Sequence, residues 1–251
     1  MVAAMLVAPV TARAAVHAQI ALLSETDQPR PGSTFLIGIR IVPDAGWHAY
    51  WSNPGDSGIP PTVQWTAPGV RFGPLLHPAP TLFKVSGVTS YVHAGTHILL
   101  VRVRTPVTLR LGSSLPLQAR LMWATCSASL CVPQRTTLRL NLRVGDGSLN
   151  SSANLLKLAA RGLPRPLAES KFHTRGSIVV MDVPRAAQVD PANAVFFPSV
   201  NGVVDGPALK LRFVKGQTQI VGRITGHLPS RFEGVLADQH RSYALAFRLS
   251  K

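Results

Sequence analysis

Short runs in which apolar and polar side chains alternate recur through the first 145 positions of the chain. They are rich in β-branched and large apolar residues, and Pro, Gly, Asp or Ser bounds each of them. Such runs are typical of half-buried β-strands, and close spacing without long helical periods favours an antiparallel β-sandwich. The predicted strands are 19–23, 34–42, 62–65, 98–104, 115–125 and 136–144.

The pattern changes at 145–153, a polar and turn-rich stretch. The one helix that the sequence predicts follows over 154–161, with Ser151 or Ser152 as its N-cap and Gly162 as its C-cap. Two prolines come within four residues of that glycine, and proline cannot continue a helix. The helix therefore marks a boundary in the chain.

Strand-like runs resume beyond the helix, at 177–183, 194–197, 208–214, 219–224, 232–237 and 242–249. The predicted fold class is all-β: two antiparallel β-sandwich domains with one short linking helix. Both domains fall within the usual size range. The predicted boundaries are 19–145 for the first domain, 146–168 for the linker and 169–251 for the second domain.

The N-terminal segment 1–18 resembles a signal peptide. Residues 1–10 form a short apolar run, and Ala12-Arg13-Ala14 then provides the small-x-small pattern that a signal peptidase cleaves. An ordinary buried segment is the alternative. Beyond residue 18 the sequence contains no apolar run long enough to span a membrane. We expect an exported protein.

The chain is strongly basic, with 26 Lys and Arg against 11 Asp and Glu and a formal net charge of +15. Many arginines alternate with apolar residues inside the predicted strands, as Arg102, Arg104, Arg139, Arg143 and Arg212 do. This spacing predicts a solvated basic strand face. No Lys/Arg block or aromatic-interleaved basic stretch is present, so nucleic acid is not the expected partner. An acidic protein partner suits this charge better.

The candidate chemistry rests on the only two cysteines, Cys126 and Cys131. One predicted strand leads into Cys126 and another follows Cys131, so the pair lies near a strand connection where a disulfide is easily formed. A structural disulfide is the usual interpretation in an exported chain. However, a loop this short contributes only about 2 kcal/mol of stability.

Redox exchange is the second interpretation, because a close pair can open and close while little else moves. A zinc site is a third and weaker one, since zinc wants four ligands and this motif supplies two. The residues alone leave these alternatives open.

Three segments nevertheless carry a family resemblance. They are GWHAYWSNPGDSGIPP at 46–61 with Trp65, HPAP at 77–80 with Phe83, Gly87 and Tyr91, and CSASLCVP at 126–133. Over about residues 17–145, their order and spacing resemble the periplasmic N-terminal region of the DsbD and ScsB thiol:disulfide interchange proteins. Farther along, 196–198 and 232–236 resemble, less closely, the segment that follows in ScsB-type proteins.

The resemblance implies immunoglobulin-like sandwiches and a periplasmic location. It also implies that the cysteine pair receives electrons from a membrane-embedded domain, which is expected outside this chain. The pair would then reduce thioredoxin-like proteins, disulfide isomerases or cytochrome c maturation proteins of the periplasm. ScsB-type members are linked with copper tolerance. The resemblance implies no cofactor.

Four further residues are candidates for the environment of the thiols. By the resemblance, Phe83 and Tyr91 fall where the DsbD branch has a loop that shields the cysteines. Asp56 could lie near the thiols and disfavour a thiolate by like-charge repulsion. Trp123 is three residues before Cys126. For all four, ordinary packing or loop architecture is the competing interpretation.

His93 and His97 have a spacing that could bind metal on a helix, but their context predicts a turn entering a strand. We therefore expect no metal site. The leading hypothesis is an exported thiol:disulfide interchange module that acts through Cys126 and Cys131. The alternative is a non-catalytic interaction module, or one associated with copper tolerance, whose disulfide is structural.

Overall fold

The computed structural model describes residues 17–205, 209–214 and 216–250. The predicted signal-peptide-like segment 1–18 lies outside these residues except for its last two positions.

Two facing sheets form the first half of the described chain. The first sheet has the order β1-β2-β8-β5, and the second has the order β10-β9-β3-β7-β6 with β4 paired to β9. All neighbouring pairs are antiparallel. The strands are β1 (Ala18–Ser24), β2 (Thr34–Pro43), β3 (His48–Gly55), β4 (Thr62–Thr66), β5 (Arg71–Phe72), β6 (Thr81–Val85), β7 (Val88–His93), β8 (His97–Arg104), β9 (Ser114–Cys126) and β10 (Cys131–Arg143).

The core of this half lies between the two sheets, because alternate residues of each strand point to the same face. Ile37 and Val101 of the first sheet pack in one cluster with Leu115 and Leu117 of the second sheet. A neighbouring cluster continues the core toward Trp123. We call the surface of the second sheet that points away from the first sheet its outer face.

The predicted linking helix is α1 (Ala153–Arg161), with Ser152 at its N-cap and Gly162 at its C-cap. Its buried Leu156 packs against Ile98 and Leu100 of β8. Gly38 of β2 makes room for it, since a Cβ at Gly38 would lie 2.5 Å from a Leu156 methyl group. The helix therefore packs against the first sheet instead of spanning open solvent.

The third sheet makes up the second half of the described chain. Its order is β14-β17-β18-β12-β13-β16-β15, with β11 on β18, and it surrounds a single apolar cluster that includes Phe172, Phe196 and Phe247. Most pairs are antiparallel, but β12 and β11 run parallel to β18, which the strand pattern had not predicted. The strands are β11 (Arg165–Pro166), β12 (Ser170–Arg175), β13 (Ile178–Asp182), β14 (Val195–Pro198), β15 (Lys210–Val214), β16 (Gln217–Arg223), β17 (Arg231–Ala237) and β18 (Ser242–Leu249).

An apolar joint connects the two halves. Trp51 and Tyr91 of the second sheet pack edge-on against Phe197 of the third sheet, with ring centroids 6.3 and 5.3 Å from it. Beside the rings, the Asn53 side-chain amide donates to the carbonyl oxygen of Pro198 over 2.8 Å. This hydrogen bond is buried, so it adds a directional contact between the second and third sheets to the apolar packing of the rings.

A cluster of three imidazoles lies where β7 turns into β8. His93 and His97 stack with ring centroids 4.4 Å apart. Both are buried, and Nε2 of each, together with Nδ1 of His77, lacks a hydrogen-bond partner. Burial lowers the pKa of His77 to about 4 and lowers the pKa values of His93 and His97. The three rings are therefore neutral at pH 7.

These lowered pKa values predict a pH-dependent stability. The unfolded chain binds protons on these histidines below about pH 6.5, whereas the folded chain does not, so the free energy of unfolding falls as the pH drops. Each such imidazole contributes a slope that rises toward a limit of about 1.4 kcal/mol per pH unit as the pH falls below 6.5. Chemical denaturation between pH 7 and pH 5 measures this slope. His93→Phe should reduce the slope, while His227→Gln at an exposed site should leave it unchanged; equal slopes in both variants and the wild type would contradict the assignment.

Candidate functional site

The two cysteines close the end of a long hairpin. β9 and β10 pair over 13 residues on each strand, and the last pair is Cys126 opposite Cys131. Their Cα atoms are 4.1 Å apart and their sulfur atoms form a disulfide. Between them Ser127–Leu130 makes the hairpin loop, in which the Ser127 amide donates to the carbonyl oxygen of Leu130 over 2.8 Å. The backbone alone thus brings the two sulfur atoms together.

The two sulfur-bearing residues differ in exposure. Cys126 is only 1% exposed, because it packs with Tyr50, Val92 and Ala124 and against Phe83. Cys131 is exposed. A protein approaching from solvent therefore meets Cys131 first.

A pocket of about 430 Å³ lies beside Cys131, between the hairpin loop and the β6–β7 hairpin. Its wall is partly apolar, and Leu130 and Val88 at this wall are 55% and 41% exposed. Exposed apolar side chains around a reactive atom favour contact with another protein. The residues that line this pocket include His48, Tyr50, Phe83, Val88, Leu130 and Cys131.

The polar groups of this pocket are neutral. The Tyr50 hydroxyl lies 3.6 Å from the Cys131 sulfur, and burial raises the pKa of Tyr50. His48 is buried opposite Cys126 in the β3–β9 pairing, and burial lowers the pKa of its imidazole. Its ring stands 4.4 Å from the ring of Phe83. At neutral pH the Tyr50 hydroxyl is therefore protonated and can stabilise a thiolate at Cys131 by donating a hydrogen bond to it.

A tight turn positions Phe83. Ser86 and Gly87 connect β6 to β7 and have φ values of 50° and 82°, the positive values that a two-residue hairpin turn demands. In the resulting register Phe83 pairs with Ser90, and both line the pocket. Phe83 therefore lies where the sequence analysis had expected a residue near the thiols.

Tyr91 lies elsewhere. It follows Ser90 on β7, so its side chain points to the opposite side of the strand and joins Trp51 and Phe197 in the apolar joint. Burial and the nearby carboxylate of Asp56 raise its pKa to about 12. The expectation that Tyr91 shields the thiols is wrong for this structure, because its ring packs in the joint.

Asp56 and Trp123 also lie outside the pocket beside Cys131. The Asp56 carboxylate accepts the Thr89 amide over 2.8 Å and so ties the turn after β3 to β7, with no place in the pocket wall. Trp123 is 2% exposed and packs in the core between the sheets. Strand alternation puts it on the face opposite to Cys126. Neither position supports the expected effect on the thiols.

Tyr50 and His48 belong to the pocket, although the sequence analysis did not single them out. Both fall in the segment 46–61 that carries the family resemblance. The available signal was their alternation, because residues 48 and 50 point to one face of a strand. That strand was not predicted, since 54–61 had the composition of a loop.

Residues 19–142 match the family described as thiol:disulfide interchange protein DsbD, N-terminal. Residues 19–142 of the chain belong to the DsbD N-terminal family. The matched region spans both sheets except for the first residue of β1 and the last residue of β10, and it includes the cysteine hairpin and the pocket.

One solved structure extends the likeness to most of the chain. The crystal structure of the N-terminal periplasmic domain of ScsB from Proteus mirabilis is 16% identical, with 96% of this chain and 97% of that chain covered and a TM-score of 0.71. The DsbD N-terminal domain of Neisseria meningitidis in its reduced form is 11% identical, with 51% and 86% covered and a TM-score of 0.25. A search of curated protein sequences gave no match. The predicted immunoglobulin-like, all-β class is confirmed by the first of these likenesses.

The described residues hold neither a candidate metal site nor a candidate membrane-spanning helix. No group of three or more His, Cys, Asp or Glu side chains there is arranged to hold a metal ion. Among the same residues no helix has the length and apolar character needed to cross a membrane.

The contact between Tyr50 and Cys131 yields a prediction for the reduced protein. Tyr50→Phe removes a hydrogen-bond donor that stabilises the thiolate, so alkylation of Cys131 at pH 7 should slow about 3- to 10-fold. Mass spectrometry of the peptide containing Cys131, after timed exposure to iodoacetamide, measures this rate. Tyr243→Phe, in the core of the third sheet, is the matched control and should alkylate like the wild type.

Proposed function

We propose that this chain is a periplasmic thiol:disulfide interchange module that passes reducing equivalents to partner proteins through Cys126 and Cys131. The observation that carries the proposal is the unequal exposure of the two cysteines: Cys126 is buried, whereas Cys131 is exposed and lines the pocket. An exchange pair needs one thiol that a partner can reach and a second that resolves the mixed disulfide. The family of residues 19–142 supports the same chemistry.

In the proposed reaction Cys131 attacks first. Its thiolate forms a bond with one sulfur of the partner's disulfide, and the other partner sulfur leaves and takes up a proton. Cys126 then loses its proton and attacks the Cys131 sulfur, which breaks the mixed disulfide and releases the second partner thiol. The partner gains two electrons and two protons, and this chain is left with the Cys126–Cys131 disulfide.

The surroundings of the pair support each step. Tyr50 lies close enough to donate to Cys131 in its thiolate form. The apolar cluster around Cys126 excludes random oxidants from the resolving thiol. Because Cys126 and Cys131 are opposite each other in paired strands, resolution requires no rearrangement of the backbone.

We propose thioredoxin-like or disulfide-isomerase proteins of the periplasm as partners. The disulfide formed in each cycle has to be reduced again, and a dithiol of a membrane-embedded donor domain is the proposed source of electrons. The periplasmic location is supported by the likeness to the ScsB domain, which is a periplasmic domain. Cytochrome c maturation proteins belong to the same proposal as further acceptors.

The reduction potential tests the function directly. We expect a value between about −180 and −280 mV for the Cys126–Cys131 pair, within the range of dedicated exchange proteins. Redox titration followed by alkylation and mass spectrometry measures it. A potential below about −300 mV, with thiols unreactive in the folded state, would assign the pair to structural stabilisation and leave a non-catalytic binding module.

Trapping variants test the assigned roles. Cys126→Ser retains the attacking thiol but cannot resolve, so mixed disulfides should accumulate in cells and appear as bands sensitive to reductant. Cys131→Ser keeps only the buried thiol and should accumulate at least about fivefold less, because a partner cannot reach it. The reverse pattern would exchange the two roles, and no adduct with either variant would refute exchange.

A further inference from the structure

A row of unpaired arginines continues the outer face of the second sheet beyond the pocket. On β10 the residues at odd positions are exposed from Cys131 onward, and Arg135 and Arg139 are among them. On β9 Arg120 is exposed and pairs with Thr137, between those two arginines. We call Arg120, Arg135 and Arg139 the arginine face.

Carboxylates are missing from this region of the sequence. Residues 57–145 contain nine Lys and Arg but no Asp or Glu. Within the described part of the chain, ion pairs between Arg and carboxylates involve Arg231 and Arg248 of the third sheet, far along the chain. Among the described residues, no carboxylate forms an ion pair with the arginine face.

The arginine face is on the same side of the sheet as the attacking sulfur. Cys131 and Arg135 are four residues apart on one strand, so their side chains point the same way at a separation of about 13 Å. This exceeds the Debye length of about 8 Å at physiological salt, so the arginines act on a partner docked at Cys131 more than on the sulfur itself. A partner of ordinary interface size covers both places.

The surface between the arginines can hold a polypeptide. A groove of about 570 Å³ runs over β4, β9 and β10, and Arg120 and Arg135 line it. Met122, 37% exposed, lies opposite Arg135 in the strand pairing and offers an apolar contact. Thr62 and Gln64 of β4 supply neutral polar groups at its edge.

Charge complementarity identifies the occupant. Guanidinium groups bind carboxylates in pairs of parallel hydrogen bonds, which suits Asp and Glu side chains. Base stacking, by contrast, needs exposed aromatic rings. The groove lining contains none. An acidic protein surface therefore fits this face better than a nucleic acid does.

We propose that the arginine face receives an acidic surface of the same partner protein whose disulfide is exchanged at Cys131. This inference rests on the proposed function and adds the chemical class of the partner's docking surface. It also accounts for the arginines as a steering device, because complementary charge raises association rates about 10- to 1,000-fold at low salt.

The test uses two synthetic peptides, each carrying one cysteine as a mixed disulfide with 5-thio-2-nitrobenzoate. Two glycines separate the cysteine from six Glu in one peptide and from six Gln in the other. Stopped-flow absorbance of the released thionitrobenzoate gives the rate constant with the reduced protein. At 20 mM salt the Glu peptide should react at least about 10-fold faster than the Gln peptide, and at 500 mM salt the advantage should fall below about 3-fold.

Two double variants distinguish an effect of the arginine face on the rate from an effect of the protein's overall net charge. Arg120→Gln combined with Arg135→Gln should reduce the advantage of the Glu peptide at least about fivefold and leave the Gln peptide unaffected. The matched control combines Arg212→Gln with Arg223→Gln, two exposed arginines of the third sheet, and should keep the advantage. An equal loss in both double variants would overturn the proposal in favour of overall charge.

The remaining outcomes are distinct. If neither peptide reacts, thiol exchange itself fails and the proposed function is refuted. If both react at equal rates at low salt, exchange stands and the acidic docking surface is refuted. Loss of binding to a single-stranded oligonucleotide in the face variant, with an unchanged Glu-peptide rate, would reassign the arginine face to nucleic acid and overturn the proposal.

Discussion

The pairing register of β9 with β10 is the constraint on which the site depends. Along these two strands alternate side chains point into the core or outward, so one register decides the position of every functional residue that β9 and β10 carry. Trp123 then lies in the core, Cys126 lies under the pocket, and Cys131 and Arg135 lie on the outer face. A slip of one residue would turn the cysteines inward and the tryptophan outward. The large apolar area of Trp123 makes that exchange costly.

The apolar joint gives the second half of the chain a role in the same site. Trp51 and Tyr91 lie on β3 and β7, the strands that also carry Tyr50 and Ser90 into the pocket. Packing of Phe197 against the two rings therefore supports the pocket from behind. A rigid second layer of this kind is what holds reactive groups within a fraction of an ångström of their working positions.

Much of the architecture could be predicted from the alternation of apolar and polar residues and from the Pro, Gly, Asp and Ser residues that bound the strands. The all-β class, the hairpin strands, the helix and the resemblance to the DsbD N-terminal family were all evident in the sequence, and the structure agrees with them. β3 was missed, because it ends in Asn53-Pro54-Gly55 and its pairing is irregular between Tyr50 and Gly55. β10 begins earlier than predicted, since Pro133 is tolerated on an edge strand, where an amide hydrogen is not required.

Side-chain direction was the other limit on prediction. Of the two residues expected to shield the thiols, Phe83 lies at the pocket and Tyr91 does not, because residues 83 and 90 pair and residue 91 consequently points away. Only strand register contains that information, and register depends on the turn at Ser86 and Gly87.

The position of the cysteines at the end of a fully paired hairpin has a kinetic consequence. Oxidation joins two residues that the backbone holds opposite each other, so we expect the surface that a partner contacts to change little on electron transfer. The affinity of the module for its partner should then fall little once the partner is reduced. Slow release of the reduced partner would limit turnover through product inhibition. Such a module works best when its contacts are numerous enough to orient a partner yet weak enough to let the reduced partner dissociate.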